Sequence, residues 1–180
     1  MQRTIEAIRA VFKKPAAGYA AVFLLSAIIF SWIEAYPSFR DPDSFYHAKM
    51  AALMLRHGVI REFPWLPFTT LATSYADHHF LYHLALAPFV AAFGPFVGVT
   101  VATVTLASGA VTAFFAFLKD RGVRFAGAYT ALLATTSGFL FRVNLAKATG
   151  VSIIFVFIAL VLMRRGRRIP LFFLSLLYVW

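Results

Sequence analysis

The sequence predicts an all-α, polytopic membrane protein with a large outer loop that carries interfacial amphipathic helices. Three observations lead there. The chain of 180 residues is 61% hydrophobic and only 13% charged, with a mean hydropathy of +0.78, whereas soluble domains stay near half apolar and a quarter charged. The apolar residues gather in long blocks, as spans require. The basic residues cluster between those blocks, the pattern that holds loops on the cytoplasmic side. A formal net charge of +10 is therefore a topology signal, and nucleic acid is set aside as a partner. The absence of cysteine excludes disulfides and thiol chemistry.

Residues 1–14 carry Arg3, Arg9, Lys13 and Lys14, with Ile5, Ile8 and Phe12 at helical spacing. They suit a short interfacial helix on the cytoplasmic face. Residues 16–34 form the first span. This apolar run is longer than a signal-peptide core, and no small-x-small cleavage site follows it, so it stays as an uncleaved helix with its N-terminus inside.

Residues 35–95 form the outer loop and hold most of the acidic residues. Asp41-Pro42 predicts a helix start, with Asp as N-cap and Pro at the first helical position. The helix ends near His57, with Gly58 as its stop. Asp43 and His47 are four apart and share a face. Phe45, Ala48, Ala52 and Leu55 line another, so the helix is amphipathic and lies in the membrane plane. Glu62-Phe63-Pro64-Trp65-Leu66-Pro67 reads as an irregular loop with an aromatic anchor near the headgroups.

Residues 80–93 are apolar but short, and contain His83 and Pro88. Such runs are interfacial or re-entrant more often than spanning, and charge settles the choice. If this segment does not span, 96–118 returns the chain to the inside, 125–140 crosses outward, 148–163 crosses back, and 169–180 starts a further span. Lys119, Arg121 and Arg124 then share the cytoplasmic side with Arg164, Arg165, Arg167 and Arg168, while Arg142 and Lys147 lie outside. The apolar run that closes the sequence has no polar end, so the expectation is a truncated chain or the front part of a longer one.

Asp43-Ser44-Phe45-Tyr46-His47 resembles the Asp-Pro-Tyr-Tyr-His type of motif in the first outer loop of oligosaccharyltransferase catalytic subunits. Those enzymes belong to the GT-C superfamily of polyprenyl-phosphate-dependent glycosyltransferases. The order of elements is also similar, and Ser137-Gly138-Phe139-Leu140-Phe141-Arg142-Val143-Asn144-Leu145-Ala146 resembles the segment before the family's second acidic motif. The resemblance implies the N-terminal part of a membrane glycosyltransferase, bound to membrane lipid in the cytoplasmic (inner) membrane. Such an enzyme moves a sugar or oligosaccharide from a polyprenyl-linked donor to an acceptor at the outer face. It makes Asp43 the first-loop carboxylate, either binding a divalent metal such as Mg or Mn or acting on the acceptor. Asp41, also followed by proline, is the alternative register. Where the family carries a paired-acid motif, this chain has Leu145-Ala146-Lys147-Ala148-Thr149. Half of the metal cage is missing, which shifts the expectation towards metal-independent relatives that transfer single sugars.

The residues support such chemistry by themselves. Transfer from a lipid phosphate needs a carboxylate to deprotonate a hydroxyl or hold a metal. It also needs cations where the leaving phosphate gathers charge. Asp43 fills the first role, and Arg142 and Lys147 the second. His47 sits beside Asp43 as a hydrogen-bonding, substrate-side neighbour. Asp77-His78-His79, with His83 four residues on, offers further ligands, so Asp43, Asp77 and His79 are the candidate metal set.

Each residue also has a plainer role. Asp41 can simply cap a helix, Asp43 can serve its dipole, and Arg142 and Lys147 can snorkel to headgroups. A non-catalytic membrane subunit or inactive fragment is the alternative class. A transporter fits less well, because the polar residues crowd the outer loop rather than mid-membrane.

Overall fold

A computed structural model describes residues 15–179; the interfacial helix expected over residues 1–14 lies outside them. Among the described residues the chain is all-helical, with a single 3₁₀ turn at Thr70–Ala72 and no strand. The helices are α1 (Pro15–Glu34), α2 (Pro42–His57), α3 (Phe80–Phe93), α4 (Pro95–Asp120), α5 (Ala126–Thr135), α6 (Ser137–Val143), α7 (Thr149–Arg164) and α8 (Arg168–Val179).

Helices α1 and α4 are each long and apolar enough to cross a membrane. α1 leaves most of its apolar surface uncovered, with Leu24, Leu25, Ile28 and Ile29 exposed and Trp32 84% exposed. Its inner stripe holds Ser26 and Phe30 and faces α4.

α4 is the axis of the fold and packs against α1, α2, α3, α5, α6 and α7. Small residues make this possible. Ala102, Ala107 and Ala110 are fully buried on it, and a Cβ on Gly98 would lie 2.4 Å from the Phe89 carbonyl oxygen of α3. Only glycine permits that approach, and small residues at helix crossings are how apolar helices associate closely. The helix also carries five hydroxyls that turn inward on its own backbone. Thr100, Thr103, Thr105, Ser108 and Thr112 each donate to the carbonyl four residues earlier, at 2.7–3.0 Å. Each is thereby satisfied without water or a neighbouring chain.

α2 begins and ends where capping chemistry predicts, with Asp41 before it, Pro42 at its start and Gly58 at φ 70 after it. Two details differ. Asp41 makes no side-chain capping bond, because its carboxylate is drawn to Lys147. The buried face is Ser44, His47, Ala48, Met50 and Ala51, while Phe45 and Leu55 are exposed. The histidine face thus packs on α3 and α4, and the core cluster of Ala48, Ala51, Tyr82, Leu86, Val90, Val99 and Ala102 explains why. Small side chains at 48 and 51 let the helices close, which a Phe45–Leu55 face would prevent.

The outward crossing expected over 125–140 is not one helix. α5 and α6 are separated at Thr136, whose ψ of 131 is extended. α5 is 10 residues long, about 15 Å at the helical rise and half of a bilayer's apolar core. At the other end, the Asp120 carboxylate accepts from Arg164 Nε at 2.7 Å and Arg165 Nη2 at 2.6 Å, clamping the C-terminus of α4 to that of α7. α8 packs against α7.

Candidate functional site

The segment between α6 and α7 decides where the site forms. Ala146 is 5% exposed and belongs to the core cluster of α2, α3 and α4. Its insertion delivers the next residue, Lys147, to the first turn of α2. Lys147 Nζ lies 2.8 Å from Asp43 Oδ2 and 3.1 Å from Asp41 Oδ2. A cavity of about 350 Å³ opens there, lined by Asp43, His47, His79, Lys147, Ala148, Thr149 and Ser152. Two stretches at opposite ends of the chain, and the start of α3, supply its polar groups.

The hydrogen bond and charge of Lys147 hold the Asp43 carboxyl below the ordinary carboxylate range. Asp43 and Asp41 in turn raise the ammonium above the usual lysine value. The pair stays ionised across physiological pH. With the Asp43 side chain 62% exposed, water screens it and it adds little to stability.

Beside this pair runs a second polar system. His47 Nδ1 lies 2.8 Å from His83 Nε2, and His83 Nδ1 lies 2.6 Å from Asp77 Oδ2. The other Asp77 oxygen accepts the backbone N–H of His79 at 2.9 Å, which turns the chain into α3. Burial pushes the His47 imidazole down to about 4, with His83 and His79 adding to the effect. Burial also lowers His83, against the pull of Asp77. The hydroxyls of Tyr46 and Tyr75 bond to one another, tying α2 to the loop that precedes α3. Burial raises both phenols.

Asp43, Asp41, His47, His79 and Lys147 are therefore brought together, as neighbours in or beside one cavity. Arg142 is exposed in the last turn of α6 and is not among the cavity-lining residues. Asp77 is occupied by His83 and the His79 backbone rather than gathered with Asp43. His79 and His83 do not form a ligand pair either: His79 sits just before α3 and lines the cavity, while His83 is fully buried against His47. Among the described residues no three His, Asp or Glu are grouped to hold a metal ion. The carboxylates of Asp41 and Asp43 do not fit a divalent cation as they stand, because the Lys147 ammonium fills the place between them.

The sequence does not reveal the His47–His83 contact, the Tyr46–Tyr75 pair, or the part of Thr149 and Ser152 in the cavity wall. The first two join residues on separate elements. Thr149 and Ser152 are three apart and share a face of α7, which is the one local signal for them.

Comparison of the chain with protein-family models, with curated proteins and with solved structures finds no match in any of the three.

Proposed function

We propose that this chain is a multi-pass membrane protein of the GT-C glycosyltransferase kind, with its N-terminus on the cytoplasmic side and its cavity at the outer face. There it moves a sugar or oligosaccharide from a polyprenyl-phosphate-type lipid donor to an acceptor. The observation that carries this reading is the meeting of Lys147 with Asp43 and Asp41 at one cavity.

Breaking a bond between sugar and phosphate gathers negative charge on the phosphate oxygens, and fixed positive groups lower that barrier. Lys147 supplies one such group. The first turn of α7, which carries Thr149 and Ser152 in the cavity wall, adds the positive end of a 16-residue helix with its unpaired N–H groups. Asp43 and Asp41 hold the ammonium in place, and Asp43 remains the exposed carboxylate beside the reacting sugar. A groove of about 370 Å³ on another face of α2 combines Phe39, Phe45 and Phe96 with Lys49 and Arg56. Apolar walls with two cations suit an anionic lipid. The bare apolar surface of α1 supports membrane residence, since water would penalise it heavily.

The test is transfer of labelled sugar from polyprenyl-phosphate donors, in membranes carrying wild type, Asp43→Ala or Asp41→Ala, with and without EDTA. Transfer is expected to be lost in Asp43→Ala and to survive EDTA. Full activity in both variants would remove the carboxylate role. Wild type inert with every donor would leave a non-catalytic membrane subunit, in which the same ion pairs only brace α2 against α7.

A further inference from the structure

The file of Asp77, His83 and His47 has a direction. A carboxylate only accepts, and a neutral imidazole has one donor and one acceptor nitrogen. Asp77 Oδ2 therefore accepts the His83 Nδ1–H at 2.6 Å. His83 Nε2 is left as an acceptor, and it takes the His47 Nδ1–H at 2.8 Å. The remaining nitrogen of His47, Nε2, is then a bare lone pair. His47 lines the cavity with Asp43, His79 and Lys147, although only 3% of it is exposed. His83 is 0% exposed, so no water competes along the file.

We propose that His47 Nε2 is the general base of this cavity, with His83 and Asp77 as positioning residues that set its tautomer and draw off its charge; this rests on the reading of the cavity as a transfer site. The acceptor hydroxyl gives its proton to Nε2 as its oxygen bonds to the anomeric carbon. The bond from that carbon to the donor's phosphate oxygen breaks, and the phosphate departs with the electron pair towards Lys147. His47 then passes its Nδ1 proton to His83 Nε2. The positive charge comes to rest on His83, against Asp77.

Electrostatics favour the hand-over. An imidazolium kept on His47 would be buried, with His83 and His79 adding to the cost and Asp43 already paired with Lys147. On His83 the same charge lies 2.6 Å from a carboxylate. Asp43 is the weaker candidate for base, since Lys147 pairs with its Oδ2 and holds its basicity down.

The direction of the file can be read without any substrate. In protein labelled with ¹⁵N-histidine and held in lipid nanodiscs, His47 and His83 are expected to carry Nδ1–H at neutral pH, with Nε2 unprotonated. An Nε2–H tautomer or an imidazolium at His47 would overturn the proposal. Diethylpyrocarbonate supplies a second reading by mass spectrometry. It should modify His47 in preference to the buried His83, and Asp77→Ala should slow the modification of His47. Equal modification of the two histidines in wild type counts against the proposal. In the transfer assay, His47→Gln should lower kcat by about 10²-fold or more, the range of general-base catalysis, with KM little changed. An unchanged kcat also overturns it. Wild type that transfers nothing, yet shows the expected tautomers and labelling, removes the transferase reading and leaves His47 as a relay-activated base.

Discussion

The Lys147 ammonium lies 2.8 Å from a carboxylate oxygen of Asp43, joining the entry of α7 to the first turn of α2. An ammonium so placed does part of a metal's work, since it neutralises clustered carboxylates and leaves a cation facing the cavity. Lys147→Met should therefore change stability little, because water screens an exposed ion pair. It should lower transfer about 10²-fold, as loss of one donor to a developing anion does. It should also vacate the space between Asp41 and Asp43. Mn²⁺ is then expected to raise the melting temperature of Lys147→Met and not that of wild type, because only a bound ligand stabilises. Equal Mn²⁺ shifts in both proteins would show that the lysine does not occupy a cation's place.

The buried imidazoles make stability depend on pH. His47 titrates at about 4 in the folded chain, against about 6.5 when unfolded. Between those values the unfolded state binds more protons, so stability rises with pH. The contribution is complete above the unfolded value and is lost as pH falls towards 4, a change on the order of 3 kcal/mol. Its neighbours are His83, His79, Asp43 and Asp77. Melting temperature in detergent should fall across that window, and His47→Gln should flatten the slope. A pH-independent melting temperature would place His47 in contact with water.

Close packing of α3 on α4 depends on one missing methyl. Gly98→Ala would set a Cβ 2.4 Å from the Phe89 backbone oxygen, which no rotamer relieves. Overpacking of this kind costs about 1–3 kcal/mol. The drop in melting temperature should exceed that of Gly127→Ala, where the added Cβ meets nothing within 4 Å. Similar losses at both sites would mean that α3 and α4 do not touch there.

The absence of cysteine allows topology to be read cleanly. Glu62→Cys lies in the loop between α2 and α3 and Arg121→Cys in the turn after α4; both positions are exposed. A membrane-impermeant maleimide added to intact cells, with outer barriers permeabilised where present, should label the first and spare the second until the membrane is broken. Labelling of both in sealed membranes would overturn the orientation.

The sequence by itself determined the helical class, the apolar blocks of α1 and α4, and the limits of α2 from Asp41-Pro42 to Gly58. These are local properties: side-chain periodicity, the fixed φ of proline and the freedom of glycine act within a few residues. It also singled out Asp43, His47 and Lys147, because charge beside an apolar run is conspicuous wherever the chain folds. Only the tertiary structure decided how they are used. Insertion of Ala146 between α2, α3 and α4 sends Lys147 onto Asp43 and Asp41, and the closing of α2 on α3 pairs His47 with His83 instead of His83 with His79. The break at Thr136, which divides 125–140 into two short helices, falls in Thr135-Thr136-Ser137-Gly138, a turn-prone cluster that the apolar runs on either side mask. Contacts between elements depend on which faces can approach, and small residues such as Ala48, Ala51, Gly98 and Ala102 set that by what they leave out.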